Sequence, residues 1–185
     1  MYILSLSSCG GDPAIKYYNL GVDAASIDDL DSAIKYWKES IKYNPKLPET
    51  HYNLGMALIE KGKYKEAEEE LRIAMELKSD DCDIEYGLGK ALEMQEEYSL
   101  AKKYYKKAIN LKPTYVPAIV GMASVEFKQG LYRSAVKYAH TATKLAPRNF
   151  QANMILAESY FRLGEYTDSY TQSLTALRYF PRNPD

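Results

Sequence analysis

The sequence lacks any apolar run approaching the roughly 18 residues that a helix needs to cross a bilayer. It is poor in cysteine and histidine, with two of each: Cys9, Cys82, His51 and His140. Two cysteines make no disulfide framework. No Cys-x-x-Cys or His-x-x-x-His spacing is present, so no metal site is expected. A glycine-rich phosphate loop is also missing, and no set of convergent acid, base and nucleophile stands out. These absences argue against an enzyme and against a bound cofactor, and no catalytic residue is assigned. Cys82 lies among Asp80, Asp81 and Asp83, which disfavours a thiolate, and reads as structural. A net charge of −1 makes no overall electrostatic case for nucleic acid.

What the chain does contain is apolar surface and tyrosine. Hydrophobic residues are 46% of the chain, and 18 tyrosines stand against four Phe and one Trp. The near-zero charge hides an asymmetry: residues 1–99 carry 11 Lys and Arg against 20 Asp and Glu, whereas residues 100–185 carry 13 against 5. An acidic end and a basic end are suited to steering a partner or stacking head to tail. The runs Glu66-Glu68-Glu69-Glu70 and Lys102-Lys103-Lys106-Lys107 read as solvated outer faces.

The sequence repeats itself every 34 residues. Small residues recur at Gly21, Gly55, Gly89, Ala123 and Ala157, each preceded by Leu or Met. A second small row follows at Ala33, Ala67, Ala101, Ala135 and Ser169, and a third at Ser40, Ala74, Ala108, Ala142 and Ala176. Leu30, Tyr64, Tyr98, Tyr132 and Tyr166 stand three before the second row. Pro45, Pro113, Pro147 and Pro181 close four units, with Ser79 as the exception. The units are 14–47, 48–81, 82–115, 116–149 and 150–183, forming one domain over 14–183 between a tail of residues 1–13 and an end at 184–185.

Each unit has room for two helices of about a dozen residues. Small residues let helix axes approach closely. Gly62, Gly130 and Gly164 fall where a left-handed residue ends the first helix. The proline row stops the second helix. Asp12-Pro13 supplies an N-cap and a first-turn proline for the opening helix.

Tyr17-x-x-Leu20-Gly21 with Ala33, Trp37 and Pro45, Tyr64-x-x-Ala67 with Ala74, and Ala101-x-x-x-Tyr105-x-x-Ala108 with Pro113 resemble the tetratricopeptide repeat pattern. The resemblance spans residues 14–183. It implies an all-α fold, a right-handed α-α superhelix of about ten antiparallel helices, with a concave side. Ala139 and Ser173 replace the bulk of Trp37, Leu71 and Tyr105, so the fourth and fifth units are expected to pack less tightly. No polar capping helix follows the fifth unit, so the last helix, with Tyr170, Leu174, Leu177 and Tyr179, is expected to meet a partner, a continuation or a second copy.

The resemblance also implies a function: a protein–protein interaction scaffold that holds a peptide or partner protein in the concave groove. The first helix of each unit lines that groove. The positions so implied are Tyr18, Asn19 and Val22 in the first unit, Tyr52, Asn53 and Met56 in the second, and Tyr86 and Lys90 in the third. Val120, Ser124 and Phe127 follow in the fourth, and Met154, Glu158 and Phe161 in the fifth. Tyr18, Tyr52 and Tyr86 form a ladder suited to a peptide, since tyrosine offers large area with few rotors. The family's basic clamp for a chaperone carboxylate tail is not expected, because the matching positions hold Tyr18, Val22, Asn53, Asp83 and Gly87, of which only Asn53 agrees. His51 stands where the family usually carries a bulky aromatic and reads as packing. The alternative is a self-assembling structural unit of a cell-envelope or other multiprotein complex, associating through its uncapped C-terminal helix.

Leu6-Ser7-Ser8-Cys9 resembles a bacterial lipoprotein cleavage box, although the apolar stretch before it is short and no basic segment leads it. It implies lipidation at Cys9 and a lipid-anchored place in the cell envelope. That anchor is the only membrane contact expected, and a cytoplasmic location is the alternative.

Overall fold

The computed structural model describes residues 11–179. All regular structure among them is α-helical: α1 (Pro13–Ser26), α2 (Leu30–Tyr43), α3 (Pro48–Glu60), α4 (Tyr64–Leu77), α5 (Cys82–Met94), α6 (Tyr98–Leu111), α7 (Val116–Lys128), α8 (Tyr132–Leu145), α9 (Phe150–Leu163) and α10 (Tyr166–Tyr179). The even helices all begin 34 residues apart, and so do the odd ones from α3 onward. The chain divides after Glu97 into two compact units, one holding α1–α5 and the other α6–α10. Cys9 and Pro181 lie outside the described residues.

The turn from odd to even helix is built the same way each time. Asp28, Gly62, Glu96, Gly130 and Gly164, spaced by 34, all take the left-handed conformation, with φ between 63° and 79°. The residue after each returns an N–H to a carbonyl five residues back: Asp29 to Ala24, Lys63 to Leu58, Glu97 to Leu92, Leu131 to Glu126 and Glu165 to Tyr160, at 2.8–3.0 Å. These Schellman bonds satisfy the last carbonyls of the first helix and reverse the chain. Asp28 and Glu96 take there a conformation that favours glycine, and the same local backbone bond closes the turn around each. Asp80, next to the missing proline at Ser79, is also left-handed, with φ 57°.

In the first unit α1 packs on α2, α2 on α3, α3 on α4, and α5 against both α3 and α4. The bulky residue of each even helix sits where glycine makes room. A Cβ on Gly21 would lie 2.6 Å from Trp37 Cδ1, and one on Gly55 2.6 Å from Leu71 Cγ. Leu71 is also met from the next repeat, since a Cβ on Gly87 would lie 2.9 Å from its Cδ2. Trp37 and Leu71 are fully buried. Trp37 Nε1 donates to the Tyr18 carbonyl at 3.2 Å, and Ser40 Oγ donates to the Ala14 carbonyl at 2.7 Å. Asp12 caps α1 by accepting from Ala14 N at 2.8 Å, with Pro13 in the first turn.

In the second unit α6 packs on α7, α7 on α8, α8 on α9, α9 on α10, and α7 on α9. Tyr105 lies over Gly121, where a Cβ would come within 2.7 Å of its ring. At the α8–α9 junction the arrangement inverts. The small residue is Ala139 and the bulk comes from Ile155, packed with Ala123, Leu156 and Tyr160. The loose packing expected of the fourth unit is therefore offset, because volume lost from the even helix returns on the next odd one. No such exchange rescues α10, where Ala176 is the one buried residue among those described.

Candidate functional site

Burial divides the groove positions into two classes. Tyr18 and Tyr52 are 0% and 3% exposed, and Tyr86 is half-buried. Burial pushes the hydroxyls of Tyr18 and Tyr86 up to about 12, and that of Tyr52 further still. Asn53, also buried, donates Nδ2 to the Tyr18 hydroxyl at 3.1 Å, tying α3 to α1. Val120 packs with Ile119, Ala142 and Ala152, and Ser124 is buried. At Tyr18, Tyr52, Asn53, Val120 and Ser124 the side chain expected on an accessible face is instead buried. In the first, second and fourth units the residue three before the small one is turned toward neighbouring helices, and apolar burial there stabilises the packing.

Asn19, Val22, Met56, Lys90 and Phe127 are half-buried. Met154, Glu158 and Phe161 are exposed, Met154 at 44% and Phe161 at 58%. These three recur at i, i+4 and i+7 and share one face of α9. Phe127 rests against Tyr132 with ring centroids 5.4 Å apart, and Phe161 rests against Tyr166 at 5.6 Å. The two aromatic pairs are one repeat apart, so each rigidifies an aromatic at the end of an odd helix. On α10, Tyr170, Leu174 and Leu177 form a second exposed stripe at 66%, 48% and 55%.

His51 is more than packing. Its ring is 3% exposed, Nδ1 meets Glu70 Oε2 at 2.6 Å, and Nε2 meets the Pro45 carbonyl at 3.0 Å. Two acceptors on two nitrogens call for the doubly protonated ring. Burial opposes that charge, but the bonds to Glu70 and Pro45 outweigh it and raise the histidine pKa. The same clasp recurs three repeats later without charge. Asn153 Nδ2 donates to the Pro147 carbonyl at 2.9 Å, and Gln172 Nε2 donates to Asn153 Oδ1 at 2.6 Å. The 34-residue register aligns His51 with Asn153, Pro45 with Pro147 and Glu70 with Gln172, the signal by which the clasp was findable in sequence.

The acidic and basic runs are not wholly solvated faces. Glu70 holds His51, Glu68 bonds Arg72 and Gln95, and Lys102 reaches the buried Glu126 at 3.0 Å. The ligand atoms of Asp81, Cys82 and Asp83 lie within 4.8 Å of one another, but Asp81 is already committed. It caps α5 through Asp83 N and Ile84 N and pairs with Lys78 at 2.8 Å. Burial would raise its pKa, yet Lys78 and the amides hold it below the usual carboxylate range. Among the described residues no helix is long and apolar enough to cross a membrane.

Models of the tetratricopeptide repeat match residues 36–69, 86–115 and 120–184, together more than half the chain. The chain belongs to the tetratricopeptide repeat family. As a tetratricopeptide repeat protein it is a protein-interaction scaffold and not an enzyme. Among solved structures it is similar to that of MamA protein, with TM-score 0.76 and 24% identity over 92% of this chain and 93% of that one. It is similar to MamA from Desulfovibrio magneticus RS-1, with TM-score 0.80 and 18% identity over 95% and 99%. It is also similar to YrrB, described as a tetratricopeptide repeat protein with an unusual peptide-binding site, with TM-score 0.69 and 20% identity over 93% and 89%. At such identities the likeness concerns the fold. No curated protein matches the chain.

Proposed function

We propose that this tetratricopeptide repeat protein binds an extended or helical polypeptide on the faces of its first helices. The observation that carries the reading is the exposed stripe Met154, Glu158 and Phe161 on α9, an apolar pair flanking one charge at helical spacing. A peptide-binding site described for YrrB, which shares the fold, adds support. Tyr52 is a poor probe of this idea, because cutting a buried ring would cost about 3–5 kcal/mol of packing. Met154→Ser with Phe161→Ser is the better perturbation, since both side chains are exposed. Affinity capture from source-cell lysate should lose its partner in this variant while far-UV circular dichroism stays unchanged. Undiminished capture would move the binding face off α9.

A second reading, self-assembly through α10, is favoured by the exposure of Tyr170, Leu174 and Leu177. Contacts of that kind strengthen or hold as salt rises, and sedimentation at two salt concentrations reads this. Lipid anchoring at Cys9 remains our proposal from the Leu6-Ser7-Ser8-Cys9 box. It places the protein in the cell envelope, with the cytoplasm as the alternative. Incorporation of a radioactive fatty acid, lost in Cys9→Ser, tests it.

A further inference from the structure

The two compact units carry opposite charge. Up to Glu97 there are 11 basic and 20 acidic residues, and from Tyr98 onward 13 and 5. The basic excess is concentrated in residues 98–149, which hold eight Lys and two Arg against one acid, Glu126, itself tied to Lys102 at 3.0 Å. Helix α8 contains no acidic residue. Its exposed Arg133, Lys137, His140 and Lys144 recur at steps of four, three and four, a single stripe along one face. None of Arg133, Lys137 and Lys144 has a side-chain ion pair with any described residue.

In the first unit the acidic counterpart is α4. Three of its glutamates are occupied: Glu66 by Lys38 and Lys63, Glu68 by Arg72, and Glu70 by His51. The other two, Glu69 and Glu76, are exposed and pair with no described residue. They stand seven residues apart, about 10 Å along a helix and on one face. Lys137 and Lys144 stand seven apart on α8 at the same positions of the repeat, two repeats on. Between the charges lie the exposed Ile73 on α4 and Thr141 on α8. The two stripes therefore match in spacing and oppose in sign, and their pairs meet whether the helices run parallel or antiparallel.

We propose that the α8 face of one copy docks on the α4 face of a second copy, with Lys137 and Lys144 against Glu69 and Glu76. The contact is heterologous, so it propagates to a ring or a filament and not to a closed pair. It uses neither α9 nor α10 and does not rest on the peptide-binding reading.

The test is sedimentation velocity at high protein concentration, with four proteins. Wild type should associate at low salt and lose at least tenfold in affinity as salt rises from about 0.1 M to about 1 M, over which the screening length falls from about 10 Å to 3 Å. Lys137→Glu/Lys144→Glu alone, and Glu69→Lys/Glu76→Lys alone, should each associate at least tenfold more weakly. An equal mixture of the two should regain association, as should a chain carrying all four changes. All sites are exposed, and circular dichroism verifies each fold. A wild type that stays monomeric at low salt overturns the proposal. So does association that survives high salt, which would point to α10. So does a mixture that fails to regain association. Loss of binding to heparin or to anionic phosphatidylserine vesicles, with self-association intact, would assign the α8 face to another polyanion and equally overturn it.

Discussion

Replacing His51 by Phe should destabilise the first unit by an amount that depends on pH. Phe keeps much of the buried volume but removes both ring N–H groups, leaving the Pro45 carbonyl and the Glu70 carboxylate without their donors. A hydrogen bond to a charged group contributes about 1.5–3 kcal/mol, so a loss of about 2 kcal/mol is expected near pH 6. The folded-state pKa of His51 lies above the value of about 6.5 in an unfolded chain, so proton binding favours the fold. The contribution is complete below about pH 6.5 and is lost as pH rises through the folded value, at no more than about 1.4 kcal/mol per pH unit. Above that value the neutral ring has one N–H for two acceptors, and the gap between wild type and His51→Phe narrows. The neutral clasp at Asn153 and Gln172 suggests the matching control: His51→Asn with Glu70→Gln should keep the clasp and abolish this part of the pH dependence. Urea titration followed by circular dichroism at pH 6 and pH 9 reads all three proteins. Equal destabilisation of His51→Phe at both pH values, or an NMR titration of His51 below 6.5, would refute the reasoning.

Gly21→Ala should cost about 1–3 kcal/mol in urea melts, because its Cβ would press on the fully buried Trp37 indole. Glu96→Gly should stabilise by about 1 kcal/mol, since it relieves a left-handed residue at the turn after α5, and the same assay detects the gain. Tyr18→Phe should lose about 1–2 kcal/mol, because the Asn53 amide then buries an unsatisfied donor; intact stability would show that Asn53 finds another partner.

The helix inventory was legible because most boundaries carry local chemistry. The proline row, the Asp12-Pro13 start and the turn glycines act within a few residues of themselves. At Asp28 and Glu96 the turn has the same backbone with no glycine to announce it, and only the 34-residue register points there. The candidate site was less legible. Helical periodicity tells which residues share a stripe, but Tyr18 and Met154 occupy equivalent stripes, and one is fully buried while the other is 44% exposed. That difference depends on which helices lie alongside, and neighbours are not encoded in the spacing.

By itself the sequence determined the period, the helix count and the family, because these follow from near-neighbour sterics and from residues recurring at fixed intervals. Only the tertiary structure decided that Asn53 turns inward to Tyr18, that Ile155 supplies the bulk missing at Ala139, and that Glu70 reaches a buried His51. Each of these outcomes depends on distances between helices. Such distances are set by how side-chain volumes from separate repeats share one space, a quantity no single stretch of chain contains.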